Sequence, residues 1–214
     1  HAMKDRGVKL GWTGGVNKRS VSELVISFSV YLLHRVAFAN AEVRNGEWYQ
    51  VKGRQLSDCT FGIVGCGHIG KDLVKLLKPF GCNILAHDII DFKEFYQENN
   101  ITSVGLDELL QKSDVVTLHL PKNDSTNNIL NKDRLQMLRK DAILINLARG
   151  GLLDESALKK ILSEKNIAGA ALDVFSVEPP IDTDFAHLDN VLITPHIGGS
   201  TEEAILAMGL AAID

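Results

Sequence analysis

The sequence predicts a protein of the α/β class, a doubly wound parallel sheet with flanking helices, and three observations carry this prediction. A glycine-rich turn, Gly65-Cys-Gly-His-Ile-Gly70, joins an apolar run to a segment with apolar residues at helical spacing. A carboxylate, Asp88, ends the next apolar run. Strand-like and helix-like segments alternate along the rest of the chain, and such alternation implies right-handed crossovers between parallel strands.

The part of the chain before the glycine turn is predicted to contain a lead-in, one long helix and a polar connection. Residues 1–19 begin with His-Ala-Met, which is typical of a cloning remnant, and continue as a glycine-rich stretch without periodicity. Ser20 or Ser22 is expected to cap a helix that begins near Val21. The apolar pattern continues over residues 20–46, which we interpret as a single long helix that is buried or lies at an interface.

Strands and helices then alternate to the end of the chain, and short apolar or β-branched runs mark the strands. The predicted strands lie at 60–64, 83–87, 102–104, 115–120, 142–147, 167–174 and 191–194. The predicted helices run from the glycine turn to 79 and over 92–99, 107–112, 131–138, 154–164 and 202–213. Asp154 and Thr201 are expected to cap the last two helices. The nearly continuous apolar run at 115–120 indicates a strand that is covered on both faces.

The glycine turn predicts a binding site for a dinucleotide within a Rossmann-type fold. Gly65 allows the tight turn, Gly67 lets the backbone come close to a pyrophosphate, and Gly70 lets the helix pack near the strand. The free N–H groups at the start of that helix face the phosphates. A glycine turn alone is weak support, but here a strand precedes it, a helix follows it, and Asp88 stands eighteen residues beyond Gly70.

Composition and charge exclude several classes of function. The chain has 214 residues, of which 45% are hydrophobic and 23% charged, so it can form the packed core of one large α/β domain or of two small ones. The net charge of −4 and the lack of a basic block disfavour nucleic-acid binding. No apolar run reaches membrane-spanning length and no secretory signal is present, so we expect neither a membrane partner nor export.

The three cysteines, Cys59, Cys66 and Cys82, have neither the spacing of metal ligands nor that of a disulfide framework. We therefore expect a reduced, cytoplasmic protein without a metal site. Cys66 lies inside the glycine turn, where the prediction is a small residue that fills a tight space rather than a catalytic thiol.

Three polar residues follow predicted strands and suggest chemistry. Arg149 lies before Gly150-Gly151, where its planar guanidinium can bind a carboxylate through two hydrogen bonds. Glu178 precedes two prolines, and His196 stands between Pro195 and a glycine pair. Taken singly, each residue also fits an ordinary role: an exposed loop arginine, a solvated turn residue and a hydrogen-bonded structural histidine. Because ligands on parallel sheets lie at the carboxyl ends of the strands, together they predict one site, with a cation for an acid group and a carboxylate–histidine acid–base pair.

These motifs together make the sequence similar to the D-isomer-specific 2-hydroxyacid dehydrogenases. Besides the glycine turn, the resemblance rests on INLARGG at 145–151, ALDVFSVEPP at 171–180 and TPHIGGST at 194–201, and it covers nearly all of the chain. The ending HIGGSTEEA and the lead-in TGGVN further resemble the phosphoglycerate dehydrogenase branch. The resemblance implies an NAD-dependent oxidoreductase domain that interconverts a D-2-hydroxy acid and its 2-oxo acid by hydride transfer, with D-3-phosphoglycerate or a similar acid as substrate.

The resemblance also implies roles for individual residues. Arg149 would hold the substrate carboxylate and carbonyl, and His196, oriented by Glu178, would donate the proton in reduction and accept it in oxidation. The cofactor NAD would contact Gly65, Gly67, His68, Ile69, Gly70, Asp88, His119, Leu120, Pro121, Leu147, Ala148, Arg149, Asp173, His196, Gly198 and Gly199. Among these, Asp88 would bind the adenosine ribose hydroxyls and Asp173 the nicotinamide carboxamide. Asp88 also predicts NAD rather than NADP, because a carboxylate repels a 2′-phosphate and the next three residues supply no arginine.

The resemblance further implies that a part of the enzyme is absent from this chain. Family members begin with a substrate-binding domain of roughly one hundred residues, in keeping with ordinary domain size. We therefore expect residues 20–214 to be an NAD-binding domain that is inactive alone, with the helix over 20–46 contributing to a homodimer of the full-length protein or packing against the absent domain. Two other functions stay open: an NAD(H)-sensing module similar to the corepressors that resemble this family, with little turnover, and a purely structural Rossmann domain.

Overall fold

Seven parallel strands form one sheet in the part of the chain that the computed structural model describes, residues 6–7, 13–181 and 184–213. They are β1 (Thr60–Val64), β2 (Asn83–His87), β3 (Thr102–Ser103), β4 (Val115–Leu118), β5 (Ile143–Asn146), β6 (Gly169–Leu172) and β7 (Val191–Ile193). Their order is β3-β2-β1-β4-β5-β6-β7, so the chain runs outward from β1 to β3 and then returns to the other side of β1. The predicted doubly wound sheet is confirmed, and its ligand crevice is expected between β1 and β4.

Helices pack on both faces of this sheet. They are α1 (Lys18–Leu33), α2 (Val36–Arg44), α3 (His68–Leu77), α4 (Lys93–Glu98), α5 (Leu106–Lys112), α6 (Lys132–Leu135), α7 (Glu155–Ser163) and α8 (Glu202–Ile213), with single 3₁₀ turns at Leu56–Asp58, Lys78–Phe80 and Asp184–His187. Strand side chains alternate between two cores. Phe61 and Ile63 of β1 enter the core shared with α1 and α3, whereas Val64 enters the core shared with α5 and α7.

The carboxyl ends of the strands are in register across the sheet. Val64, the last residue of β1, pairs with His87 of β2 and with Leu118 of β4. Leu118 pairs with Asn146 of β5, and Asn146 pairs with Leu172 of β6. Leu172 in turn pairs with the last residue of β7. The glycine turn and the loops that carry the other predicted site residues therefore begin side by side at one edge of the sheet.

Most predicted elements are present, although several have shifted ends. β1, β2 and α8 have the bounds that the sequence predicts. The helix expected at 131–138 shortens to the single turn α6, and the strand expected at 167–174 shortens to β6. The two predicted caps are confirmed, because the side chains of Asp154 and Thr201 accept hydrogen bonds from the N–H groups three residues on, at 3.0 and 3.2 Å.

The prediction of one long helix over 20–46 is wrong, because the chain forms two helices, α1 and α2, bent by 59° relative to each other. Arg35, between them, adopts a left-handed φ of 55°, which ends the run of helical hydrogen bonds. The cause lies in the segment that follows α2. The N–H group of Arg54 donates to the carbonyl oxygen of Leu33 at 3.0 Å, and the glycine before Arg54 packs against the backbone at the break.

The predicted start of this helix is also wrong. α1 begins at Lys18, and neither Ser20 nor Ser22 caps it. Both serines are buried inside the helix, and their hydroxyls donate to other parts of the chain: one to the carbonyl oxygen of Gly198 at 2.7 Å, the other to a carbonyl in the first turn of α3 at 3.4 Å. Most of the lead-in predicted over 1–19 falls outside the described residues.

Within the described ranges, no single helix is long and apolar enough to cross a membrane. By length and composition alone, α1 and α2 meet that requirement only as a pair, and the pair is bent at the break. Several α1 side chains, Val25 and Ser29 among them, are fully buried against the rest of the chain.

Candidate active site

The glycine turn folds as its residue types predict. Gly65 has a φ of 95°, and a Cβ there would lie 2.7 Å from the carbonyl oxygen of His119, so only glycine fits between β1 and the loop after β4. A Cβ on Gly70 would lie 2.4 Å from the Gly65 carbonyl oxygen, which shows how closely α3 approaches the turn. Gly67, in contrast, has no described atom within 4 Å of its Cβ position, so the space beside it is open to a ligand.

The first turn of α3 supplies hydrogen-bond donors beside that open space. The N–H groups of His68, Ile69 and Gly70 have no intrahelical acceptor by position, and the N-cap residue Gly67 has no side chain to cap them. These donors and the positive end of the helix dipole suit a pyrophosphate. Cys66 beside them is fully buried, and burial raises the pKa of its thiol to about 11, so the thiol stays protonated and only fills space.

Asp88 closes the turn from the end of β2. Its Oδ2 accepts a hydrogen bond from the Cys66 N–H at 2.6 Å, and its Oδ1 accepts one from the Ile90 N–H at 2.9 Å. Carboxylate oxygens carry two lone pairs each, so Asp88 keeps acceptor capacity for ribose hydroxyls. Ile89, which is 97% exposed, brings an apolar side chain rather than a cation to this position.

His119 follows β4 on the other side of the crevice and carries an unsatisfied polar atom. Its Nε2 lies 3.1 Å from the Thr117 hydroxyl, whereas its Nδ1 is buried and has no hydrogen-bond partner in the described part of the chain. Burial lowers the pKa of His119 to about 3, so the ring is neutral. A buried polar atom without a partner is costly. A ligand in the crevice would supply that partner, and the residues around the crevice therefore fit a dinucleotide.

Arg149 is placed at the cleft by a turn that Asn146 closes. The Asn146 side chain accepts from the Ala148 N–H at 3.1 Å and donates to the Arg149 carbonyl oxygen at 2.9 Å. The next position, 150, requires glycine, because a Cβ there would lie 1.8 Å from the carbonyl oxygen of Phe175. The guanidinium donates to the Ala148 carbonyl oxygen at 2.6 Å and has no other hydrogen bond to a described residue. Its planar fork is therefore available for an acid group.

His196 and Glu178, which the sequence predicts to form an acid–base pair, are in direct contact. His196 Nδ1 lies 2.7 Å from Glu178 Oε2, and the two side chains are 48% and 37% exposed. The hydrogen bond to His196 holds the pKa of Glu178 below its usual value, with smaller contributions from the Phe175 N–H and the charge of Arg149. An ionised Glu178 keeps a proton on Nδ1 and leaves Nε2 as the atom that exchanges protons.

Asp173, at the end of β6, organises the loop that carries His196. It is only 1% exposed. Its Oδ1 accepts from the Thr194 hydroxyl at 2.5 Å and from the Ile197 N–H at 2.8 Å, and its Oδ2 accepts from the Gly198 N–H at 2.8 Å. Its carbonyl oxygen accepts from the His196 N–H at 2.9 Å. These bonds hold His196 at a φ of 55°, which is uncommon outside glycine. The expected contact of Asp173 with the nicotinamide carboxamide stays a prediction.

A cleft of about 490 Å³ opens beside the imidazole of His196. Most of its lining is apolar, from Phe175, Pro179, Pro180, Ile193 and Pro195. Among the described residues, no group of three or more His, Cys, Asp or Glu side chains is placed to hold a metal ion. This edge of the sheet presents an acid–base pair, the Arg149 guanidinium and backbone N–H donors.

The strand register brings the predicted site residues together. Arg149 follows β5, Glu178 follows β6 and His196 follows β7. The predicted cofactor residues lie after β1, β2, β4, β5, β6 and β7 respectively: Gly65–Gly70, Asp88, His119–Pro121, Leu147–Arg149, Asp173, and His196 with Gly198–Gly199. Leu147 and Ala148 are buried, so any cofactor contact would use mainly their backbone atoms.

Sequence reasoning missed Asn146 as a site residue. The available signal was its position: a polar residue ends an apolar strand directly before the Arg149 turn. Such a residue has to satisfy its hydrogen bonds locally, because it is 1% exposed.

Comparison with known proteins agrees with this geometry. Residues 26–198 match the family model described as "D-isomer specific 2-hydroxyacid dehydrogenase, NAD binding domain". D-3-phosphoglycerate dehydrogenase of Methanocaldococcus jannaschii is 38% identical over 211 residues, which are 97% of this chain and 40% of that protein. Hydroxypyruvate reductase of Thermotoga maritima is 35% identical over 216 residues, 99% of this chain and 70% of that protein. The chain thus spans well under half the length of the first relative.

Solved structures show the same arrangement. D-2-hydroxyisocaproate dehydrogenase superimposes with a TM-score of 0.92 at 27% identity, covering 99% of this chain and 69% of that one. D-lactate dehydrogenase with NAD⁺ from Lactobacillus jensenii superimposes with a TM-score of 0.90, also at 27% identity. The match covers 99% of this chain and 69% of that one. The family, its phosphoglycerate dehydrogenase-like branch and its cofactor NAD, all predicted from the motifs, are confirmed.

Proposed function

Since the chain belongs to the D-isomer-specific 2-hydroxyacid dehydrogenases, we propose that the whole protein interconverts a D-2-hydroxy acid and its 2-oxo acid. The observation that carries this proposal is the 2.7 Å contact between His196 Nδ1 and Glu178 Oε2. It lies at the sheet edge that also holds the glycine turn and Arg149. Bound NAD would accept or supply the hydride at its nicotinamide ring.

The residues of the chain divide the remaining tasks. In reduction, His196 donates a proton from Nε2 to the substrate oxygen that becomes the hydroxyl, and in oxidation Nε2 accepts that proton. Glu178 is ionised because its pKa is lowered, so it stabilises the imidazolium and keeps the other proton on Nδ1. The Arg149 guanidinium binds the substrate carboxylate through two parallel hydrogen bonds, which orients the neighbouring carbon.

The substrate in this proposal carries a phosphate, as D-3-phosphoglycerate does. Its support is the series of relatives named D-3-phosphoglycerate dehydrogenase, which match nearly the whole chain. The relative named hydroxypyruvate reductase makes an unphosphorylated 2-oxo acid the second candidate. Arg149 recognises the carboxylate that both candidate substrates share. Selection between the phosphorylated and the unphosphorylated acid therefore depends on groups of the protein that contact the rest of the substrate.

The test is an NADH-oxidation assay of the full-length protein with pyruvate, hydroxypyruvate and 3-phosphohydroxypyruvate. We expect the highest kcat/KM for the phosphorylated acid and loss of turnover in His196→Ala. Tight NADH binding in calorimetry without turnover of any 2-oxo acid would contradict the proposal and support an NAD(H)-sensing module. Failure to bind NADH at all would leave only a structural role.

We also propose that α2 and the connection after it contact a second copy in the full-length protein. Trp48 and Tyr49 are 81% and 59% exposed, and Val43 on α2 is 51% exposed. Neighbouring aromatic residues that are exposed on one segment of a chain are typical of protein interfaces. Sedimentation should show a dimer for the parent protein and a shift toward monomer for Trp48→Glu, whereas a monomeric parent at every concentration contradicts the proposal.

A further inference from the structure

The first turn of α1 makes direct contact with the loop that carries His196. The Ser20 hydroxyl donates a hydrogen bond of 2.7 Å to the carbonyl oxygen of Gly198, and both groups are buried. A serine inside a helix commonly bonds to the carbonyl group four residues before it. Ser29 of the same helix does so, at 2.7 Å from the Val25 carbonyl oxygen. Ser20 instead bonds across to another element.

The loop around Gly198 is therefore held from two sides. Asp173 accepts hydrogen bonds from the N–H groups of Ile197 and Gly198, both at 2.8 Å. Ser20, in the first turn of α1, donates to the carbonyl oxygen of Gly198. His196 immediately precedes these groups and has a φ of 55°, so the placement of its imidazole depends on this loop rather than on a strand.

The packing between the start of α1 and this loop leaves little space for adjustment. A Cβ on Gly199 would lie 2.8 Å from Asn17 Nδ2. Just before the helix, a Cβ on Gly15 would lie 2.6 Å from Cγ of His68 in the glycine turn. The segment that leads into α1 thus touches both halves of the site, the pyrophosphate turn and the loop of the acid–base pair.

We propose that Ser20 is a positioning residue for His196: its hydroxyl holds the Gly198 carbonyl group so that the imidazole stays in contact with Glu178. The effect on turnover rests on the proposed function, because only a dehydrogenase uses this imidazole on a substrate. Without the hydroxyl, a buried carbonyl oxygen has no donor and the loop relaxes. Misplacement by 1 Å can cost on the order of a hundredfold in rate, and since the Asp173 bonds remain, we expect about a tenfold loss.

Charge does not complicate the test of this role. The charged groups around His196 are Glu178 in direct contact, Arg149, whose charge acts on Glu178, and Asp173 beneath the loop. Ser20 carries no charge, so its replacement leaves this set unchanged. An effect of Ser20→Ala on His196 therefore reports geometry.

The kinetic test compares three variants of the full-length protein. Ser20→Ala should lower kcat about tenfold, a larger factor than any change in the Kd for NADH. Ser29→Ala is the matched control, because it removes another buried hydroxyl of α1 that bonds to a carbonyl group at 2.7 Å, and it should keep the parent kcat. Ser20→Thr retains a hydroxyl and should recover most of the lost rate. A kcat equally lowered by Ser29→Ala would assign the loss to general destabilisation.

A second readout needs no substrate. In isotope-labelled full-length protein, the Nδ1–H proton of His196, which is hydrogen-bonded to Glu178, should give a downfield resonance that broadens in Ser20→Ala and persists in Ser29→Ala. The inference is overturned if Ser20→Ala leaves both kcat and this resonance as in the parent. If the parent turns over no 2-oxo acid, the proposed function fails. Broadening of the His196 resonance in Ser20→Ala would then still show whether Ser20 positions His196. Ser20→Cys, similar in volume and a weak donor, replaces Ser20→Ala if that variant does not fold.

Discussion

Arg19 and Asp72 join α1 to α3 through two parallel hydrogen bonds, from Nε at 2.9 Å and from Nη2 at 3.0 Å. The Asp72 side chain is 7% exposed and the Arg19 side chain 54%. The pair therefore fixes the start of α1, including Ser20, relative to the helix that follows the glycine turn. Its geometry is bidentate, which is the arrangement in which a guanidinium and a carboxylate interact most strongly.

We expect Arg19→Met to destabilise the protein by about 1–2 kcal/mol, between the values for exposed and buried pairs. The reason is that Asp72 keeps a buried charge without its partner. Urea denaturation measures the change, and Lys112→Met is the matched control, since it breaks the exposed pair of Lys112 with Glu108. Equal effects of the two substitutions would show that the burial of Asp72 is unimportant.

His196→Ala should lower kcat by about 10²–10⁴-fold, the range for loss of a general acid or base. Glu178→Gln should also lower kcat, because an amide neither stabilises the imidazolium nor fixes the proton on Nδ1. Steady-state kinetics of the full-length protein with NADH and its best 2-oxo acid measure both effects. The Kd for NADH should change by a much smaller factor than kcat, and a near-normal kcat in His196→Ala would disprove its role.

Asp88→Ser should weaken NADH binding and improve NADPH binding. We expect the Asp88 carboxylate to accept hydrogen bonds from the ribose hydroxyls and to repel a 2′-phosphate, and serine removes the charge. Calorimetric titration of both cofactors measures the change. Because Asp88 also accepts from the Cys66 and Ile90 N–H groups, Asp88→Asn is the control that preserves an acceptor oxygen. A variant that still prefers NADH as strongly as the parent would contradict this assignment.

The sequence predicts strand ends well where a glycine or a charged residue stops an apolar run. β1 ends before the glycine turn and β2 ends before Asp88, and both have the predicted bounds. The break between α1 and α2 could not be predicted, because it depends on the hydrogen bond from Arg54 to Leu33, two residues far apart in sequence. Local periodicity continues through the break and gives no sign of it.

The candidate site likewise contains residues that the sequence predicts and residues whose contacts depend on the folded chain. Arg149, Glu178 and His196 could be placed at one edge because parallel topology brings the carboxyl ends of strands together. The roles of Ser20 and Asn146 could not be predicted in the same way. A serine near a helix start suggests a cap, whereas the Ser20 hydroxyl bonds to a carbonyl group 178 residues away. Only the folded chain reveals such a contact.

The acid sensitivity of the protein should depend on His119. Burial lowers its pKa in the folded protein to about 3, whereas the ordinary value is 6.5. Between these pH values His119 binds up to one proton more in the unfolded chain than in the folded chain, so its contribution lowers stability as pH falls, by up to about 1.4 kcal/mol per pH unit. His119→Asn should therefore flatten the stability profile between pH 6.5 and 3, measured by urea denaturation at several pH values. An unchanged slope would show that His119 takes up its proton equally in the folded and unfolded protein.

The chain of residues 1–214 alone should bind NADH but reduce 2-oxo acids poorly. The glycine turn, Asp88 and the donors of α3, which the motifs predict to hold the cofactor, are all formed in this chain. The His196 and Glu178 side chains, however, are 48% and 37% exposed, which leaves the acid–base pair in water. Solvent weakens the electrostatic interactions of such an exposed pair. Calorimetry with NADH and an NADH-oxidation assay on this chain test the prediction, and turnover as fast as that of the full-length protein would contradict it.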